Sequence, residues 1–242
     1  EYFQLGTNDK GLWSDFENDL GTYNWKSFFD EKNYLDFSDE RFRPSFVFGL
    51  KDNLIQETDE LIENIWGAFA DWLNQISLES IGKKIDFEDD SIFLNFNYTL
   101  TLEEVYKIPN DKIFHVHGDV KNNPDSLIFG HNQKLKEKQE LDENGDSIRT
   151  MFTDSENTAE YPFYAFQKPV DNIINENKGF FESISSVIEI TILGHSLNPV
   201  DVPYFKEIVK QTKNILKWKV SFLKEKDKET YLETLLKIGV IK

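Results

Sequence analysis

Helical periodicity dominates the first third of the chain, and short strand-like runs dominate the rest. From Asp59 to Ser77, Leu61, Ile62, Ile65, Trp66, Phe69, Trp72, Leu73 and Ile76 recur at i, i+3 and i+4 spacing. That stripe predicts an amphipathic helix, with Thr58 as N-cap before Asp59 and Glu60. Leu12, Trp13, Phe16 and Leu20 repeat the pattern over a shorter helix, with Ser14, Asp15 and Glu17 on its polar flank. Asp30 to Arg43 is charged and aperiodic, and reads as connecting structure.

Near residue 90 the texture changes. Ser91–Phe96, Lys112–His117, Ser126–Gly130, Ile188–Gly194 and Leu216–Phe222 are short β-rich runs. Helical stretches at Thr99–Tyr106, Asp201–Gln211 and Asp227–Ile238 alternate with them. This order predicts an α/β fold with a mainly parallel, Rossmann-like sheet covered by helices on both faces. Residues 1–85 are expected to form an N-terminal helical layer packed on it, and 86–242 the α/β domain. Within the latter lies a polar insertion at about 132–185. Asp142–Asp146 reads as its loop tip and Pro169–Ser185 as a helix.

Composition narrows the function. The 27 basic and 44 acidic side chains leave a net charge of −17, which argues against nucleic acid and anionic membrane surfaces as partners. No apolar run approaches the roughly 20 residues of a membrane helix. Cysteine is absent, which excludes disulfides, thiol catalysis and cysteine-based metal sites. No basic stretch followed by an apolar one opens the chain, so a cytoplasmic protein is expected. The only methionine is Met151, so a further segment is expected ahead of Glu1.

The histidines carry the most information. There are four, and each lies at the carboxyl end of an expected strand: His115 and His117 in His-Val-His-Gly, His131 after Gly130, and His195 after Gly194. In an open α/β sheet, ligands bind in the crevice beyond the strand ends. Gly118, Gly130 and Gly194 would let a ligand or a neighbouring backbone approach there. Asn95 and Asn97 add carboxamides to the same rim. Period-two alternation puts His115 and His117 on one face, so a metal-dependent hydrolase using them with His131 is one reading. Asp201, after Pro199, reads as a helix cap. Ser196 lacks the second glycine of a nucleophile elbow. No Gly-x-Gly-x-x-Gly or Walker-type loop occurs.

Phe96-Asn97-Tyr98-Thr99, His115-Val116-His117-Gly118, Ile128-Phe129-Gly130-His131-Asn132, Leu193-Gly194-His195-Ser196-Leu197 and Asp201 with Tyr204-Phe205 follow one another in a telling order. In that order they resemble the AbiH family of bacterial phage-defence proteins, as does Leu12-Trp13-Ser14-Asp15-Phe16-Glu17. More distantly they resemble the sirtuin-like NAD-binding fold. That resemblance implies an abortive-infection effector that takes NAD as substrate and cleaves its nicotinamide–ribose bond. Asn97 falls on the active-site asparagine and His117 on the catalytic histidine. Thr99, Gly118, Gly130, His131, Gly194, His195 and Ser196 fall on positions that line the dinucleotide. Thr99, His131 and His195 replace the aspartate, glutamate and threonine of the sirtuin pattern. AbiH proteins share an N-terminal Gly-Asn-Gly-Phe-Asp segment that is not found in these residues, so the loop that would hold the pyrophosphate is expected upstream. His115 is expected to be structural. A phage component or partner defence protein as trigger, and self-association, stay open. The non-enzymatic alternative is a sensor of a nucleotide or phage protein that uses the aromatic face around Trp13, Trp25, Trp66 and Trp72.

Overall fold

A computed structural model describes residues 2–3, 13–122, 124–136, 138–212 and 217–240. Leu12 and Leu216, the first residues of two expected elements, lie outside the described residues. The chain divides into two compact units, one made of residues 1–75 and 129–167, the other of 76–128 and 168–242.

The first unit is helical: α1 (Trp13–Leu20), α2 (Trp25–Lys32), α3 (Phe46–Asn74) and α5 (Thr153–Ala165). Asn24 caps α2 by accepting a hydrogen bond from the Ser27 N–H at 3.2 Å, and Phe28 and Phe29 are buried. The helix therefore extends into the charged stretch expected to be connecting structure. Helix α3 begins at Phe46, well before Thr58, because Leu50, Leu54 and Thr58 continue the buried stripe at every fourth position. Thr58 is thus no cap. It is buried inside the helix, and its hydroxyl donates to the Leu54 and Ile55 carbonyls at 2.8 and 2.9 Å, the way an interior threonine satisfies itself. Helix α5 arises inside the polar insertion and packs on α2 and α3. Its Ala159 and Phe163 share a core with Tyr23, Phe28, Phe29, Leu50 and Leu54. The insertion tip is as expected, with the Asn144 and Asp146 N–H groups donating to Asp142 Oδ1 and Gly145 at φ +85°.

Gly130 belongs to this unit. Its φ is +137°, and a Cβ there would lie 1.8 Å from the Phe166 carbonyl oxygen. The close approach is made by a neighbouring backbone, fixed by the hydrogen bond from the His131 N–H to the Phe166 carbonyl at 2.9 Å. Gly130→Ala should cost about 2–3 kcal/mol, from strain plus displacement of that strand-like pairing. Urea denaturation monitored by tryptophan fluorescence measures it.

The second unit holds two parallel pairs. Strand β1 (Phe93–Asn95) runs beside β2 (Ile113–His115), with Asn95 opposite His115, and the one-turn helix α4 (Thr101–Glu104) lies between them in sequence. Strand β3 (Glu189–Ile192) pairs with β4 (Lys217–Val220), with α8 (Val202–Gln211) in the crossover. Helices α6 (Val170–Glu176) and α7 (Lys178–Ser183) replace the single helix expected at Pro169–Ser185, and α9 (Glu225–Lys237) follows β4. The class is therefore mixed α/β with parallel pairing, but among the described residues β1 to β4 do not make the single Rossmann-like sheet expected. One reason is legible in β3 and β4: Glu189, Thr191, Lys217 and Lys219 are exposed, and Glu189 pairs with both lysines across the ladder. A strand covered on both faces could not carry that alternation. Ser126–Gly130 forms no strand either. After a 3₁₀ turn it runs irregularly beside the end of β2, where the Ile128 N–H donates to the His117 carbonyl at 3.0 Å and the Tyr98 hydroxyl donates to the Ile128 carbonyl at 2.9 Å. Leu94, Phe114, Ile190, Ile192, Trp218, Phe181, Tyr204 and Leu235 nevertheless contribute to one core.

Candidate active site

The centre of this unit is a cluster of charged and aromatic side chains just beyond β1, β2 and β3. After β3 the chain turns tightly through Gly194 (φ +66°) and Leu197 (φ +53°). The His195 ring stabilises the turn, with its Nδ1 accepting the Leu197 N–H at 2.8 Å. A proton on the ring then belongs on Nε2, which faces Asp201 Oδ2 at 3.4 Å. Leu197 is buried, which offsets the strain of a left-handed leucine.

Asp201 immediately precedes α8 in the N-cap position, yet its carboxylate caps no backbone N–H. It turns into the interior instead. Its Oδ1 receives the Lys168 ammonium at 3.2 Å and lies 3.6 Å from His117 Nε2. His117 is 2 % exposed, and its Nε2 has no hydrogen-bond partner. Aromatic rings enclose the group. Phe96 meets His117, His195 and Tyr204 at centroid distances of 5.6, 4.5 and 5.7 Å and stacks on Phe205, while Tyr98 stacks on His117.

Burial in this box, reinforced by the Lys168 ammonium and only partly opposed by Asp201, pushes the His117 imidazolium pKa down to about 3. Burial alone would raise the Asp201 carboxyl, but the hydrogen bond from His195 and the Lys168 charge hold it at about 2. At neutral pH the cluster thus contains an ammonium, a carboxylate and an uncharged His117. Such a buried neutral histidine makes stability pH-dependent. The unfolded chain binds a proton below the ordinary histidine value of 6.5 and the folded chain does not. Stability should therefore fall from about pH 6.5 towards about pH 3, by up to about 1.4 kcal/mol per pH unit. The Asp201 carboxyl adds loss of the same sign between 3.8 and about 2. Urea titrations at several pH values should show a shallower slope for His117→Phe than for the unaltered protein.

The other expected residues fall in different places. His115 ends β2 and does not share a face with His117, because the strand stops there and the chain turns, with the Gly118 N–H donating to the His115 carbonyl. His115 Nε2 pairs with Glu103 Oε1 at 2.6 Å, and Asn95 Nδ2 lies 3.3 Å from its Nδ1. Asn97 is exposed, one residue from Phe96, and its backbone N–H donates to Asn95 Oδ1. The Thr99 and Thr101 hydroxyls lie 2.8 Å apart at the start of α4. Gly118 takes φ +77° against the Ser126 carbonyl, whereas Gly194 and Ser196 are exposed, with open space beside Gly194. His131 belongs to the helical unit. Its Nδ1 accepts the Gln133 N–H and its Nε2 faces the Phe163 carbonyl at 3.0 Å, so both ring nitrogens are engaged.

His131 and His195 thus use the same local device, a ring nitrogen accepting the N–H two residues on. They differ in what the other nitrogen meets: a carbonyl for His131, a carboxylate for His195. Among the described residues no group of three or more His, Asp or Glu is placed to hold a metal ion, so His115, His117 and His131 do not form the metal set of the alternative reading. Among those residues, no helix is long and apolar enough to cross a membrane.

Sequence reasoning missed Lys168 altogether and read Asp201 as a cap. The available signal was Asp201 standing one turn before Tyr204-Phe205. A family model described as "Bacteriophage abortive infection AbiH" matches residues 1–222. No curated protein and no solved structure matches the chain.

Proposed function

The chain belongs to the AbiH family of bacteriophage abortive infection proteins, and on that premise we propose that it restricts phage by hydrolysing NAD at the centre built on His117 and Asp201. The role in abortive infection rests on the family. The chemistry rests chiefly on one observation: a buried imidazole whose Nε2 has no hydrogen-bond partner lies 3.6 Å from a carboxylate beyond the end of β2. In this reaction water attacks C1′ of the nicotinamide-bearing ribose. The C1′–N bond breaks, its electron pair returns to the pyridinium ring, and nicotinamide leaves uncharged. His117 Nε2 takes the proton of the attacking water, and Asp201 stabilises both the resulting imidazolium and the cationic ribose.

Asn97, exposed beside Phe96, would orient the water or a ribose hydroxyl. Thr99, Gly118, Gly194, His195 and Ser196, all in the α/β unit, would line the dinucleotide. Gly130 and His131 receive no role in this proposal, because their backbone and ring partners are already those of the helical unit. NAD serves here as substrate.

A second reading is favoured by the depth of the cluster. With His117 at 2 % and Asp201 at 6 % exposure, the centre is closed, as it would be in a sensor that opens only on meeting a phage component or a partner defence protein. The experiment is to incubate the purified protein with NAD, with and without phage lysate and a chelator, and to measure nicotinamide. Chelator-resistant release supports the proposal. Chelator-sensitive release moves it to a metal hydrolase, and no release in any arm moves it to the sensor.

A further inference from the structure

The buried group that this chemistry leaves unassigned is Lys168. It is the first residue of the α/β unit after the chain leaves the helical one, and its side chain is 1 % exposed. Burying an ammonium is costly without a counter-charge, and Lys168 Nζ stands 3.2 Å from Asp201 Oδ1. That same oxygen is the one facing His117 Nε2 at 3.6 Å, while Oδ2 faces His195 Nε2 at 3.4 Å. One carboxylate therefore addresses three nitrogen groups, and Lys168 occupies the lone pairs that would otherwise bind a proton held on His117.

We propose that Lys168 is a positioning residue of this centre, fixing the Asp201 carboxylate between His117 and His195 and setting the charge that His117 meets. The proposal rests on the reading of His117 and Asp201 as the reacting pair. The charged and titratable groups facing His117 are Lys168 and Asp201 from the segments before α6 and α8, His195 from the turn after β3, and the rings of Tyr98 and Tyr204. Of these Lys168 supplies the ammonium. Burial acts in the same direction, and the Asp201 carboxylate acts against both.

The test follows the imidazole resonances of His117 by NMR from about pH 4 to about pH 9, a readout that does not require turnover. In the unaltered protein His117 stays uncharged across the range. In Lys168→Met it acquires a proton within the range, its midpoint raised by the roughly 1–3 pH units that one neighbouring charge supplies. In Lys168→Met/Asp201→Asn, which removes both charges, it is uncharged again. Should Lys168→Met fail to fold, the double variant, in which the Asp201 carboxylate is removed as well, is expected to be the more stable of the two and carries the measurement. A folded Lys168→Met protein whose His117 titrates as in the unaltered one overturns the proposal, as does a double variant no more stable than the single one. Nicotinamide release measured on the same samples separates the two claims: if the unaltered protein releases none, NAD chemistry fails while the titration still decides the role of Lys168.

Discussion

Asp201→Ala should lower folding stability by about 3–5 kcal/mol, the cost of breaking a buried ion pair by removing one partner. The size of the effect comes from what is left behind. Lys168 would keep its charge in a site where its side chain is 1 % exposed, and His195 Nε2 would lose the acceptor 3.4 Å away. Asp201→Asn should cost less, since a carboxamide oxygen can still accept from His195. Combining it with Lys168→Met should recover part of the loss, because neutral groups of similar volume replace a charged pair at little net cost. Urea denaturation of the four proteins at neutral pH measures these terms. Were Asp201 only a solvent-facing helix cap, Asp201→Ala would cost about 1 kcal/mol and adding Lys168→Met would restore nothing.

His117→Ala should reduce nicotinamide release by about 10²–10⁴-fold, the usual contribution of a general base. It should do so without the collapse expected of Asp201→Ala, because the histidine leaves as a neutral ring and no charge is stranded. The loss should fall on kcat more than on KM, since the base acts in the transition state. Asn97→Ala should also slow the reaction, by about a hundredfold if the carboxamide places the attacking water. An exposed Asn97 that only turns the strand end would leave the rate unchanged. His115→Ala should change stability more than rate, because His115 pairs with Glu103 rather than with the cluster.

The sequence was most informative where local pattern and tertiary role coincide. His117 and His195 each end an apolar run and neighbour a glycine, and the structure brings both to one carboxylate. His131 carries the same signature but belongs to the helical unit, because the strand-like run before it makes no ladder and Gly130 is packed against the Phe166 carbonyl. Lys168 was illegible. Nothing in Gln167-Lys168-Pro169 distinguishes a buried ammonium from a surface one, and the fold that brings it to Asp201 decides it. Asp201 was misread for a related reason, since an aspartate ahead of a helix satisfies the local rule for a cap whether or not it turns inward.

The elements show the same division. Parallel pairing followed from strand-like runs separated by helices, and both β1–β2 and β3–β4 conform. The number of sheets did not follow, because an apolar run shows which face of a strand is covered but not which edge pairs with which. Exposed Glu189, Thr191, Lys217 and Lys219 were visible as alternation, yet the apolar residues between them read as a continuous run. Helix α5 was hidden because its polar residues outnumber the buried Ala159 and Phe163 that anchor it.

If His117 drives NAD loss as the means of phage restriction, NAD measured in infected cells shows it most directly. Cells carrying the unaltered protein should lose NAD and gain nicotinamide after infection, and cells carrying His117→Ala at equal protein level should do neither and should release phage. Restriction of phage with NAD undiminished, or equal NAD loss in both cell lines, would contradict it.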